Sequence, residues 1–434
     1  MSDFPLPEAF LARMRQQLKT EQNFQAFLAA YERPACKGIR VNTLKISPEA
    51  FQKITPFTLT PVSWEPNGFC LSEDKAGRHA HHFAGLYYSQ EPSAMSVVPL
   101  LNVQEGDRVL DLCAAPGGKS TQIAQALKGT GILVSNEIVG SRAKILSQNI
   151  ERLGVTNAVV TNAAPAELAK RFQGYFDKIL VDAPCSGEGM FKKNQQEALE
   201  NWSEQNVLLC AERQREILHS AAQMLSVGGR LVYSTCTFAE EEDEAQISAF
   251  LTEHSEFTLL EQKKLYPHEV EGEGHFYAVL QKNTGEAGKK LPLLKSNLSQ
   301  KELSLFISFC QTALRQTPSG TPYKVGDTLY LLPEGMFAVD KLSILRAGVR
   351  AGEFKKDRFT PAHALAVSLK QEDAQRSVSL TVSESENYLR GNTFNADIAN
   401  GWCLLCVDHF PLGWGKAVNG LVKNHFPKGL WLLK

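Results

Sequence analysis

Val109-Leu110-Asp111-Leu112-Cys113-Ala114-Ala115-Pro116-Gly117-Gly118-Lys119-Ser120-Thr121 is the stretch on which the fold turns. Its apolar first half reads as a buried strand over 108–113, and its second half opens a helix over 118–127. Small residues and glycines at the turn let the backbone approach a ligand, and the helix start supplies free N–H groups. The closing Gly118-Lys119-Ser120 invites a phosphate-loop reading. That motif needs a glycine five positions before the glycine of its Gly-Lys pair, and Cys113 stands there. The dinucleotide pattern Gly-x-Gly-x-x-Gly is absent too. Taken alone, the turn could be an ordinary strand-to-helix connection, so the residues around it decide.

Downstream, strand and helix alternate. Strands are expected over 131–136, 158–161, 176–182 and 229–234, with helices over 141–153, 213–225 and 240–250. Segments 257–260 and 275–280 suit two closing strands. Repeated β-α-β order predicts a Rossmann-like α/β domain with a mostly parallel sheet. Ligands in such sheets bind at the carboxyl ends of the strands. Glu137 follows the second strand, where a carboxylate can hold ribose hydroxyls; Asn162 follows the third and Asp182 ends the fourth. Three such groups in register with the loop favour a nucleotide-type cofactor site.

Two cysteines stand at two strand ends: Cys185 in Asp182-Ala183-Pro184-Cys185-Ser186-Gly187, and Cys236 in Ser234-Thr235-Cys236-Thr237. A single strand-end cysteine is usually a packing residue. A pair on neighbouring strands beside a cofactor crevice predicts nucleophilic chemistry.

Asp111–Thr121 and these two segments resemble the hallmark motifs of the Nop/Sun RNA (cytosine-5) methyltransferases, in particular the RsmF/YebU-like branch that modifies bacterial 16S rRNA. Arg40-Val41-Asn42-Thr43 and His82-Phe83-Ala84-Gly85-Leu86-Tyr87-Tyr88-Ser89-Gln90-Glu91-Pro92 resemble that family's N-terminal segments. Tyr388-Leu389-Arg390-Gly391 and Gly413-Trp414-Gly415-Lys416 resemble its PUA-like module. The resemblance spans nearly the whole chain and is weakest between about 290 and 370. It implies S-adenosyl-L-methionine (SAM) as cofactor, held by Cys113, Ala114, Ala115, Pro116, Gly117, Gly118, Lys119, Glu137, Arg142, Asn162 and Asp182. It also implies Cys236 as nucleophile and Cys185 as the thiol that assists release. Two positions depart from the family: Asn162 replaces a frequent aspartate, and Glu241-Glu242-Asp243-Glu244 replaces Glu-Glu-Asn-Glu.

The implied chemistry explains the thiol. Carbon 5 of cytosine is a poor nucleophile until a thiolate adds to carbon 6. Asp182 would hold the N3/N4 edge and favour protonation there. The base must lie outside a helical stack.

The 434 residues suggest several domains. The expected division is an N-terminal α+β extension (1–90), the methyltransferase domain (91–284), an intermediate α/β module (292–370) and the PUA-like module (375–434). In the extension, one helix over 8–31 and a strand over 38–44 are expected. Beyond the linker near 283–290, a helix over 301–314 and a strand over 328–332 follow. Net charge is −1, but residues 286–434 carry 19 Lys+Arg against 13 Asp+Glu. That excess permits a phosphate-contacting face and equally a solvated surface.

Nine scattered cysteines do not read as a disulfide framework, and a reducing cytoplasm suits them. No signal peptide and no membrane span are expected. His79, His81 and His82 read as packing residues rather than metal ligands. Cys403 and Cys406 have zinc spacing but no second pair, so burial is the expectation. About one of Trp402, Trp414 and Trp431 is expected to meet RNA. A monomer acting on 16S rRNA or the small ribosomal subunit is the reading reached. The same chemistry on tRNA, or a non-catalytic ribosome-assembly factor that has kept the fold, remains open.

Overall fold

The computed structural model describes residues 6–72, 76–192, 195–338 and 342–432. The expected first helix is two, Glu8–Gln17 and Glu21–Glu32. Lys19 adopts φ +61° between them, and Thr20 caps the second by accepting from Asn23 N. Four antiparallel strands follow: β1 (Lys37–Val41), β2 (Leu59–Val62), β3 (Glu65–Leu71) and β4 (Tyr87–Ser89), in the order β2-β3-β1-β4. Cys36 and Cys70 are joined as a disulfide, which corrects the expectation that no cysteines pair. The antiparallel register, Lys37 opposite Leu71, brings them together. The other seven cysteines are free.

Buried Arg40 fastens this extension to the catalytic domain. Its Nε donates to Gln125 Oε1 at 3.0 Å, and its guanidinium nitrogens donate to Gly118 O at 2.9 Å and Thr121 Oγ1 at 2.7 Å. Asn42 Nδ2 donates to Leu153 O at 2.9 Å.

The central sheet contains β5 (Arg108–Asp111), β6 (Ile132–Asn136), β7 (Ala158–Thr161), β8 (Phe176–Asp182), β9 (Leu225–Thr235), β10 (Phe257–Leu265) and β11 (His275–Lys282). Their order is β10-β11-β9-β8-β5-β6-β7. Strands β5 to β9 are parallel, while β11 runs antiparallel to β9 and β10 antiparallel to β11. The chain moves outward from β5 to β7 and then crosses to β8, so the switch point lies between β5 and β8. Apolar side chains on both faces build two cores, one around Phe172, Ile179 and Tyr233, the other around Val109, Leu133 and Val232. An eighth strand, Ile344–Ala347, pairs antiparallel with β7, so the chain beyond the linker completes the catalytic sheet.

The helix Gln300–Ala313 starts at a capping box of Ser299 and Glu302. A four-stranded sheet (Thr321–Val325, Thr328–Leu332, Val349–Lys355, Arg358–Pro361) and a five-stranded sheet around Gly401–Val407 and Phe410–Val418 follow. Cys403 and Cys406 are buried within Gly401–Val407 and face two different cores. The first of these cores is shared with the N-terminal extension, and His81 Nε2 meets Asp408 Oδ2 at 2.7 Å. No described helix is long and apolar enough to cross a membrane.

Candidate active site

A cavity of about 1140 Å³ opens at the carboxyl edge of the central sheet, over the β5/β8 switch point. The turn after β5 walls one end. Gly117 adopts φ +116°, a conformation that glycine tolerates and side chains resist, and the helix Gly118–Leu127 starts directly after it. A Cβ on Gly118 would lie 3.2 Å from the Tyr88 ring, so a side chain there would press on that ring. Ser120 Oγ lies 2.6 Å from Asp111 Oδ2 and ties the turn to the end of β5. Burial raises Asp111 to about 7 in spite of that bond.

Of the expected cofactor residues, Cys113, Ala115, Lys119, Glu137, Arg142 and Asp182 line this cavity. Ala114, Pro116 and Gly118 line a smaller adjoining one of about 180 Å³. Glu137 is almost fully buried, accepts from Val139 N at 2.9 Å and stands 3.6 Å from Arg142. Asn162 lines neither cavity. Its amide donates to Glu137 O at 2.7 Å and Ile138 O at 2.9 Å, shaping the segment that does line the site. An aspartate there could not make those donations.

The other end holds the reactive side chains. Asp182 Oδ2 accepts from Lys119 Nζ at 2.7 Å, and Oδ1 accepts from Ser234 Oγ at 2.8 Å. Burial opposes its charge, but Lys119 and His275 hold its carboxyl well below the usual carboxylate range. Cys185 Sγ and Cys236 Sγ are 3.3 Å apart, and both residues line the cavity. The Cys236 sulfur, with burial, pushes the Cys185 thiol well up. Burial does the same to Cys113.

Buried partners from distant segments lock the two cysteine loops together. Glu242 Oε2 accepts from Ser186 N at 3.0 Å and from Gln214 Nε2 at 2.8 Å, while Gln214 also donates to Pro184 O at 3.0 Å. Ser186 and Thr237 hydroxyls meet at 2.9 Å. Asp243 Oδ1 accepts from Thr235 Oγ1 at 2.6 Å, and its Oδ2 lies 3.0 Å from Lys264 Nζ, which also donates to Glu244 Oε2 at 2.9 Å. Burial pushes the Asp243 carboxyl well above the usual carboxylate range in spite of that cation. From outside, Glu188 accepts from Phe238 N, from Trp202 Nε1 and from Arg13 of the first helix.

Several site residues were not evident in the sequence. Ile138 and Val139 are apolar yet 60% and 45% exposed, because they line the cavity. His275 was read as the start of a closing strand. Because β11 is antiparallel, its first residue arrives at the same edge as the carboxyl ends of its neighbours. Among the described residues, no group of three or more His, Cys, Asp and Glu side chains could hold a metal ion.

The donor set fits SAM. Glu137 suits ribose hydroxyls, Ile138 and Val139 offer an apolar face for an adenine, and the turn before Gly118–Leu127 suits a carboxylate.

Known proteins agree with this arrangement. A family model for the 16S rRNA methyltransferase RsmB/F matches residues 98–281. Models for the RsmF N-terminal domain, first C-terminal domain and PUA domain match 6–92, 308–369 and 375–432. Ribosomal RNA small subunit methyltransferase F of Vibrio parahaemolyticus is 34% identical over 98% of this chain and 97% of its own. The Escherichia coli (strain SE11) enzyme of that name is 34% identical over 98% and 96%. Among solved structures, a methyltransferase homologue from Pyrococcus horikoshii is 28% identical, with TM-score 0.55, over 64% of this chain and all of its own. Pyrococcus horikoshii NSun6, solved with the SAM analogue SFG, shares the fold at 22% identity and TM-score 0.56, over 64% of this chain and 99% of its own. With relatives 34% identical from end to end, the chain belongs to the RsmF group of SAM-dependent RNA methyltransferases.

Proposed function

We propose that this protein methylates carbon 5 of a cytosine in 16S rRNA through a covalent adduct on Cys236. The observation that carries the reading is the pair of sulfurs 3.3 Å apart in the cavity that also holds Lys119, Glu137 and Asp182. SAM, bound across the turn at Cys113–Lys119 and Glu137, supplies the electrophilic methyl group.

Cys236 is the attacking thiol because it stands in the Thr235-Cys236 segment that resembles the family's nucleophile motif, and it lines the cavity. Sulfur adds to C6 of an unstacked cytosine and makes C5 nucleophilic. Asp182, fixed between Lys119 and Ser234, holds the N3/N4 edge of the ring. Once C5 carries the methyl group, solvent in the cavity takes the C5 proton, the C–H pair forms C5=C6 as the C6–S pair returns to Cys236, and Cys185, 3.3 Å from that sulfur, assists the release. Cys113, Ala114, Ala115, Pro116, Gly117, Gly118 and Arg142 form the cofactor end. Asn162 acts indirectly, through the Glu137-Ile138 backbone.

The C-terminal module holds the rRNA. Trp414 is buried, and Trp431 packs against Gly391. Trp402 remains half-exposed, with Lys416 5.4 Å from its ring and His425 beside it, which suits base stacking next to a phosphate. Every group invoked comes from one chain, so the reading needs only a monomer, and an rRNA substrate goes with the cytoplasm.

Bisulfite sequencing of rRNA and tRNA from cells lacking the gene tests the substrate. The expected result is loss of methylation at a 16S rRNA cytosine with tRNA unchanged. Loss confined to tRNA would replace the substrate, and no loss in either pool would refute the enzyme reading.

A further inference from the structure

His275 faces the reactive centre, and the mechanism above leaves it unused. It is 2% exposed, lines the cavity, and holds Nε2 3.7 Å from Asp182 Oδ1. That nitrogen makes no hydrogen bond among the described residues. The register of β11 on β9 pairs Phe276 with Thr235, so the chain runs on to His275 beside the Thr235-Cys236 end. The charged groups facing the imidazole are Asp182 at the end of β8, Lys119 of the helix Gly118–Leu127, and Glu91 after β4; Glu273, two residues before it, also lines the cavity.

The reaction needs a proton at this place. When sulfur adds to C6, the C5=C6 pair moves to C4–C5 and the C4=N3 pair moves onto N3, which takes a proton. An ionised Asp182 has none to give. Lys119 is hydrogen-bonded to the far oxygen, Oδ2, whereas Oδ1 faces the imidazole. Histidine is the side chain whose ordinary ionisation suits a proton taken up and returned within one turnover.

We propose that His275 is the proton carrier of this site, acting through Asp182 as a positioning residue for the reaction at N3. The inference rests on the cytosine chemistry proposed above. An imidazolium gives its Nε2 proton to Asp182 Oδ1, and the carboxyl so formed gives that proton to N3 as the Cys236 Sγ–C6 bond forms. After C5 has accepted the methyl group, solvent in the cavity takes the C5 proton; the C5–H pair forms C5=C6 as the C6–S pair returns to Cys236, and the N3 proton travels back through Asp182 to His275.

This arrangement has a kinetic signature. The active form holds a protonated imidazole and an ionised thiol. Burial and Lys119 push His275 below the ordinary histidine range. Above that ionisation the imidazolium fraction falls tenfold per pH unit while the thiolate fraction rises tenfold, until the thiol itself is ionised. The rate is therefore flat across neutral pH. Without the imidazole only the thiolate fraction remains, and the rate climbs with pH.

The test uses the full chain, SAM and 16S rRNA, with single-turnover methyl transfer measured from about pH 6 to pH 8 for wild type and His275→Gln. Wild type is expected to be flat within about threefold. His275→Gln is expected to be about 100-fold slower at pH 6, with a rate rising about tenfold per pH unit and KM values for RNA and SAM within about twofold. A His275→Gln profile parallel to wild type, at any height, overturns the proposal. Protein NMR without cofactor or RNA gives an independent readout: Asp182→Asn should lower the pH at which His275 titrates, and an unchanged titration also overturns it. Cys236→Ala, run alongside, separates the two readings. Activity lost in Cys236→Ala with a parallel His275→Gln profile removes only the role of His275. Activity retained in Cys236→Ala removes the underlying cytosine chemistry and this inference with it.

Discussion

The two ends of the active cavity are built in different ways. The cofactor end is local: one strand, one glycine-bearing turn and one helix supply Cys113 to Lys119, and the next strand supplies Glu137. The nucleophile end is assembled from afar. Cys185 and Cys236 are 51 residues apart in sequence, and the groups that hold them are Gln214, Glu242, Asp243, Lys264 and Glu188. A ligand cradle rests chiefly on the shape of one turn, here braced by Arg40, with a carboxylate at the next strand end. A thiol that must attack a ring carbon needs a fixed position, and buried polar partners supply it.

This contrast can be broken most strongly at Asp182, the residue both ends share. Asp182→Asn keeps the shape but loses the charge facing Lys119, and methyl transfer is expected to fall about 10²- to 10⁴-fold. Single-turnover kinetics with saturating SAM checks this, and a loss below tenfold would show that Asp182 is not central.

The nucleophile end should next prove sensitive to its buried ion pair. Lys264→Met leaves Asp243 and Glu244 without the cation they share, and chemical denaturation should show about 1–3 kcal/mol of lost stability. Glu242→Ala strands Ser186 N and Gln214, so a loss of about 1–3 kcal/mol is expected, together with slower methyl transfer.

At the cofactor end, Asp111 makes a prediction with a definite sign. Its folded pKa of about 7 lies above the unfolded carboxylate value of about 3.9, so the folded state binds the proton more tightly. Its contribution to stability is full below about pH 4 and is lost as pH rises through about 7. Asp111→Asn should flatten the stability–pH curve across that window; an unchanged curve would show that Asp111 ionises freely. The smallest effect lies farthest away. Trp402→Ala should weaken rRNA binding by about 1 kcal/mol, measured by filter binding, without changing the saturated rate.

The same contrast governs what the sequence revealed. The strand ends Thr161 and Asp182, and the turn Cys113–Lys119 after β5, were legible because alternation and glycine spacing are local signals. The break at Lys19 was not, since neither glycine nor proline marks it. Strand β10 continues past Leu260 through Glu261, Gln262, Lys263 and Lys264, a polar run natural to an edge strand and silent in hydropathy. The pairing of Ile344–Ala347 with β7, the Cys36–Cys70 bond and the approach of His275 to Asp182 all depend on long-range register, which no window of sequence contains. Asn162 was legible as a strand-end polar group, but its partners proved to be carbonyls of its own fold.

The central claim is that Cys236 bonds to the base and Cys185 lets it go. The direct measurement is a denaturing gel of the full chain incubated with SAM and 16S rRNA. Cys185→Ala is predicted to accumulate a slow-migrating protein–RNA band that disappears in the Cys185→Ala/Cys236→Ala double variant. A band that survives removal of Cys236, or a Cys236→Ala enzyme that still methylates while Cys185→Ala is inert, would contradict the account.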